Sequence, residues 1–109
     1  MNVFIINHKF LQLKLKIIWF ENYLGLAVNI IGLKQQYLLT PYYFWPRTNA
    51  WEQLKLELDS KFWLTEKEKI DILRTTRNVM DYWLSYRNTK NADNLREDFK
   101  EIEVLTLYN

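Results

Sequence analysis

The stretch LQLKLKIIWFENYLGLAVNIIG, residues 11–32, decides the fold. Leu11, Leu13, Leu15, Ile17 and Trp19 fall on every second position, with Gln12, Lys14 and Lys16 between them. A period of two is the pattern of a strand with one buried face. Glu21-Asn22 supplies a tight turn. Leu24, Leu26, Val28 and Ile30 then alternate with Gly25, Ala27 and Asn29. A helix over Tyr23–Ile31 is the rival reading, but Gly25 and the β-branched Val28, Ile30 and Ile31 count against it. The two halves therefore read as a β-hairpin. The small residues on the second face of its second strand leave room for something to pack close.

Gly32 ends the hairpin, and residues 33–41 read as a connecting loop. YYFWPR follows at Tyr42–Arg47: four rings, a proline and a fixed positive charge. Two readings compete for it. Bulky rings drive core energetics, and they also stack on splayed RNA bases while cations hold phosphate. Successive residues of an extended segment point to opposite faces. One alternate pair, Tyr43 with Trp45 or Tyr42 with Phe44, can therefore be buried while the other is presented. Pro46 stops the extended run.

Two helices come next. Asn49-Ala50-Trp51-Glu52 has capping-box spacing, with Thr48 as the other candidate cap. Trp51, Leu54 and Leu58 share one face of this short helix, which ends near Asp59-Ser60. Thr65-Glu66-Lys67-Glu68 is a second capping box, opening a helix to about Arg87. Ile70, Leu73, Met80 and Leu84 form its apolar stripe, widened by Ile72, Val79, Trp83 and Tyr86. Asp71, Arg74, Asn78, Asp81 and Ser85 lie opposite and mix both signs of charge. Asn88–Asn91 is a polar linker. Beyond it Leu95, Phe99 and Ile102 have helical spacing, with Asn94 and Glu97 at capping-box positions, and Val104–Tyr108 is extended. This tail either docks on the domain or serves as an arm for a partner. The expected fold class is α+β: an N-terminal β-hairpin packed against two α-helices in a single domain over residues 1–87. Residues 88–109 form a C-terminal extension, a short helix plus an extended segment.

Composition narrows the function. The chain has 109 residues, of which 49% are hydrophobic and 17% aromatic. That length suits one domain with a real core. Truncating a buried Phe or Trp costs about 3–5 kcal/mol against a total stability of about 5–15 kcal/mol, so a few anchored rings are decisive. Net charge is only +2, modest for a nucleic-acid binder, but it is unevenly spread. Residues 1–20 carry Lys9, Lys14 and Lys16 and no acid, whereas acids outnumber bases in residues 90–109. The ends can thus face different partners. There is no cysteine and a single histidine, His8. The lack of cysteine removes disulfides, thiol catalysis and cysteine-based zinc sites, and His8, near an end of the chain, is badly placed for a Ser/His/Asp set. With two glycines the chain has no phosphate-cradling loop or dinucleotide fingerprint. Glu52, Glu66, Glu68 and Asp71 sit where helix starts favour negative charge, not in a catalytic arrangement. Residues 17–31 are broken by Glu21, Asn22 and Asn29 and do not make a membrane span. No signal or transit peptide is evident at the N-terminus. The expectation is a binding protein with no enzymatic activity, no cofactor, no metal and no small-molecule substrate. Abundant Asn, Lys, Ile, Phe and Tyr beside scarce Gly, Pro and Ala suggest an AT-rich gene, as in an organellar genome.

KLKIIWFENYLGLAVNIIG, LTPYYFWPRTNAWEQLKLELDSKFWLTEKEKIDIL and VMDYW occur in one unbroken order from Lys14 to Trp83. Together they closely resemble the plastid-specific 30S ribosomal protein 3 family of chloroplasts and cyanobacteria. The most specific part is YFWPR-x-x-AWE-x-L at Tyr43–Leu54, with FWL following at Phe62–Leu64. The family usually has Pro where this chain has Phe62, which loosens the turn before the second helix, and Phe where it has Tyr43. The resemblance implies a structural constituent of the chloroplast small ribosomal subunit in the plastid stroma. Such a protein binds ribosomal RNA and neighbouring small-subunit ribosomal proteins, and the missing transit peptide implies plastid encoding. It marks Tyr43, Phe44, Trp45, Pro46, Arg47 and Trp51. On this reading Trp45 and Trp51 lock the hairpin to the helices, Pro46 fixes the bend and Arg47 reaches for RNA phosphate. Lys14, Lys16, Lys61, Arg74 and Arg77 are further RNA-binding candidates. The alternatives are a non-ribosomal adaptor that binds a protein partner through an aromatic groove, and a dissociable translation factor.

Overall fold

The computed structural model describes residues 12–32 and 34–105. Leu11, His8 and the end of the extended stretch expected up to Tyr108 lie outside the described residues. Strands β1 (Gln12–Trp19) and β2 (Leu24–Ile31) pair antiparallel from Gln12↔Ile31 to Trp19↔Leu24. The Phe20 N–H donates to the Tyr23 carbonyl at 3.1 Å and closes the turn over Glu21-Asn22. Leu15, Ile17, Leu24, Leu26 and Val28 are fully buried on one face, as the period-two pattern requires.

The segment expected to be a loop over residues 33–41 contains a strand. β3 (Gln36–Leu38) pairs with Asn29–Ile31, and β4 (Tyr43–Trp45) pairs with Leu24–Leu26. Two short strands thus share one edge of β2, with Val28 in the gap between them. The N–H groups of Leu39 and Thr40 both donate to the Val28 carbonyl, at 3.0 and 3.1 Å. The Val28 N–H donates to Thr40 Oγ1 at 3.0 Å. A buried hydroxyl thereby replaces a ladder carbonyl, and both backbone polar groups of Val28 are satisfied.

Helices α1 (Ala50–Asp59) and α2 (Glu66–Tyr86) cover the buried face of the hairpin. The capping box of α2 is complete: Thr65 Oγ1 accepts the Glu68 N–H at 3.1 Å, and Glu68 Oε1 accepts the Thr65 N–H at 2.8 Å. The box expected at Asn49 does not form. Asn49 is the N-cap, but its ψ of 75° is not extended and its side chain caps nothing. Thr48 turns back instead, its hydroxyl donating to the Phe44 carbonyl at 3.2 Å.

The buried seam of α2 runs through Ile72, Leu73, Thr76, Val79, Met80 and Trp83. Ile70 and Leu84, expected in the stripe, lie beside the seam and are 50% and 55% exposed. Thr76 enters the seam because its hydroxyl donates to the Ile72 carbonyl at 2.8 Å.

Helix α3 (Ala92–Asp98) starts one turn earlier than expected, from a capping box of Asn91 with Asn94. Leu95 is fully buried. Phe99 ends the helix in extended geometry, and Ile102 opens β5 (Ile102–Leu105) instead of adding a helical turn. β5 lies parallel to β1, from Leu15↔Ile102 to Ile18↔Leu105. The sheet order is β3-β2-β1-β5, with β4 also beside β2. The architecture is α+β, and Ile102 and Val104 join the core that fully buried Trp83 centres.

Candidate nucleic-acid interface

The pairing of β4 sorts the aromatic run onto two faces. Tyr43 and Trp45 lie opposite Leu26 and Leu24 and pack against the core. Trp45 meets Trp83 edge-on at 5.4 Å, and the Tyr43 hydroxyl donates to Glu57 Oε1 at 3.3 Å. Phe44 lies opposite Gly25 on the face away from the helices. A Cβ at Gly25 would stand 2.9 Å from Phe44 Cε1 and 3.1 Å from Ile18 Cβ. The missing side chain is therefore what lets the ring lie on the strand.

Phe44 belongs to a row of rings on that outer face. Tyr42 stacks on it at 6.4 Å, Tyr23 meets it edge-on at 5.7 Å, and Phe20 lies 4.4 Å from Tyr23. Arg47, exposed just past the cis Trp45–Pro46 bond, closes the row with its guanidinium carbon 5.0 Å from the Tyr23 ring centre. The Tyr42 hydroxyl and Glu103 Oε2 are buried there without a hydrogen-bond partner among the described residues. Burial first, and the Glu103 charge second, push the Tyr42 hydroxyl above its ordinary pKa.

The candidate cations separate by location. Lys14 and Lys16 are half-buried on the outer face of β1, opposite Asn29 and Ala27, with Glu103 beside Lys16. They share that face with Phe44 and Arg47. Lys61, Arg74 and Arg77 do not; they sit on the helical side. Lys61 pairs with Glu57 at 3.6 Å and Arg74 approaches Asp71 at 4.0 Å. Arg77 lies 5.5 Å over Trp51, whose indole N–H donates to the Leu73 carbonyl at 3.0 Å and ties α1 to α2.

Sequence reasoning missed Arg87. It stands over Trp83 at 4.9 Å, and the Trp83 indole N–H donates to the Phe20 carbonyl at 2.7 Å. The signal was present: Trp83 and Arg87 are four apart on one helix and so share a face. Arg47, Arg77 and Arg87 thus each rest on a ring. Among the described residues none of the three has a carboxylate within ion-pair distance. A guanidinium held by its face on a ring keeps its N–H edges free for a planar or tetrahedral oxyanion. Among the described residues no group of His, Cys, Asp and Glu is placed to hold a metal ion, and no helix is long and apolar enough to cross a membrane.

These features define a small α+β protein that carries arginines seated on aromatic rings. The chain belongs to the plastid and cyanobacterial ribosomal protein family (PSRP-3 / Ycf65), whose pattern it matches over residues 39–86. Three relatives show how far the likeness extends. The small ribosomal subunit protein cS23 of Gracilaria tenuistipitata var. liui is 36% identical over 90 residues, covering 83% of this chain and 91% of that protein. The probable small ribosomal subunit protein cS23 of Synechococcus sp. (strain JA-2-3B'a(2-13)) is 39% identical over the same shares. The small ribosomal subunit protein cS23 of Cyanidium caldarium is 39% identical over 93 residues, covering 84% of this chain and 92% of that protein.

Proposed function

We propose that this chain is a structural constituent of the small ribosomal subunit of a plastid, with no catalytic role. The observation that carries the reading is its likeness, over about nine-tenths of their length, to proteins named for that subunit. The plastid setting draws on the family and on the AT-rich residue usage; the coding DNA tests whether a plastid genome encodes it. Ribosomal RNA and neighbouring small-subunit proteins are its partners. Arg47, Lys14 and Lys16 face RNA from the side of the sheet away from the helices. Lys61, Arg74 and Arg77 contribute from the helical side. Tyr43, Trp45 and Trp51 act as core anchors behind them, while Phe44 and Pro46 shape the surface from which Arg47 projects.

A net charge of +2 leaves few cations for counterion release, on which phosphate affinity depends. Protein neighbours therefore supply much of the binding energy. Two measurements test the proposal. The chain should co-sediment with small subunits through a moderate salt wash; a chain that stays at the top of the gradient would be an adaptor instead. Affinity for protein-free small-subunit RNA at physiological salt should be weaker than nanomolar, and nanomolar binding would contradict the reliance on protein neighbours.

A further inference from the structure

We propose that Arg47 and Arg87 together grip the sugar-phosphate backbone of an RNA strand at the hairpin-turn end of the sheet. This rests on the ribosomal reading and names where on the molecule RNA is held. The two arginines come from distant parts of the chain, but a continuous run of contacts through side chains and one backbone carbonyl joins them. Arg87 lies on Trp83, the Trp83 indole bonds the Phe20 carbonyl, the Phe20 ring lies against Tyr23, and Tyr23 carries Arg47. Trp45 braces the same run through Trp83. Both guanidinium groups are therefore seated on packed rings around the β1–β2 turn. A seated fork loses less freedom when it binds than a mobile one. Glu21 is exposed in the same turn.

The charge pattern favours a nucleic-acid strand over a protein. RNA repeats its negative charge at every nucleotide, so two fixed cations from different elements can engage it without reading sequence. A protein would need two carboxylates set at one particular spacing. The competing role for Arg87 is local. As the C-cap of α2 it offsets the negative end of the helix. That role affects stability and leaves the salt dependence of RNA binding untouched.

The test uses the full chain carrying Arg47→Gln, Arg87→Gln or both. Lys67→Gln, at an exposed lysine paired with Asp71 at 2.7 Å, is the control. The probe is small-subunit RNA stripped of protein, titrated between about 50 and 200 mM salt. Each phosphate that is no longer neutralised should flatten the plot of log K against log salt by about 0.7–0.9. The double variant should flatten it by about twice the single-variant change, and Lys67→Gln should leave it as in the wild type. An unchanged slope in the double variant overturns the proposal, as does a melting temperature that falls with no change in slope. Wild-type RNA binding too weak to measure at about 50 mM salt overturns it too. Variants that keep the wild-type slope yet drop off small subunits would show that the arginines grip a protein, which also overturns it. An arginine-dependent slope in a chain that never sediments with small subunits would support the grip and end the ribosomal reading, so the two failures are distinguishable.

Discussion

At Gly25 the absence of a side chain determines where an aromatic ring can lie. The small residues alternating through β2 were visible in the sequence, and they announced a close approach. The partner was not visible, because Phe44 reaches Gly25 through strand pairing across 19 positions of chain. Gly25→Ala should cost about 1–3 kcal/mol, the usual penalty for overpacking. The rigid Ile18 Cβ at 3.1 Å blocks escape on the other side. In a Phe44→Leu background the same change should cost less by more than about 0.5 kcal/mol, the sign of coupled neighbours. Urea denaturation of the four proteins checks this; strict additivity would mean that the ring and the glycine are independent. The same limit governs the seated arginines. The Trp83–Arg87 spacing could be read on a helical wheel, whereas Arg47 on Tyr23 and Arg77 on Trp51 are products of the tertiary fold.

At the scale of elements, local signals served where the element stabilises itself. The hairpin needed only a period of two and a turn. Helix α2 needed its capping box and a long apolar face, although its seam is centred on Thr76 and leaves Ile70 and Leu84 outside. β3 gave no comparable signal and β5 only a partial one, its extended character being legible from Val104 but not at Ile102, because each becomes a strand by joining an edge already present. β3 is three residues long, and β5 begins at Ile102, whose spacing from Leu95 and Phe99 also fits a helix. The caps make a sharp comparison between sites that read alike in sequence. Thr65→Ala should destabilise the protein by about 1 kcal/mol through loss of the N-cap bond. Asn49→Ala should change stability by less than about 0.5 kcal/mol, since that side chain caps nothing. Thermal unfolding of both variants decides it, and equal losses would mean that Asn49 does cap α1 in solution.

For the whole molecule, the last segment carries more than its composition suggests. β5 gives β1 its second neighbour, and Leu95, Ile102 and Val104 enter the common core. Removing residues 88–109 would expose the β1 edge and open that core, an invitation to aggregation. The truncated chain should lose a cooperative melting transition or melt well below the full chain by calorimetry; an unchanged transition would show that the extension is an accessory. The intact molecule is pinned by aromatic contacts and carries 15 Lys and Arg against 13 Asp and Glu, a net charge of only +2. Constitutive membership of the small ribosomal subunit would fix the stoichiometry of this chain, which quantitative mass spectrometry of purified small subunits reads as a copy number. Equimolar amounts with the other small-subunit proteins are predicted. A small fraction of that amount, or none, would contradict the account and leave a dissociable factor or an adaptor in its place.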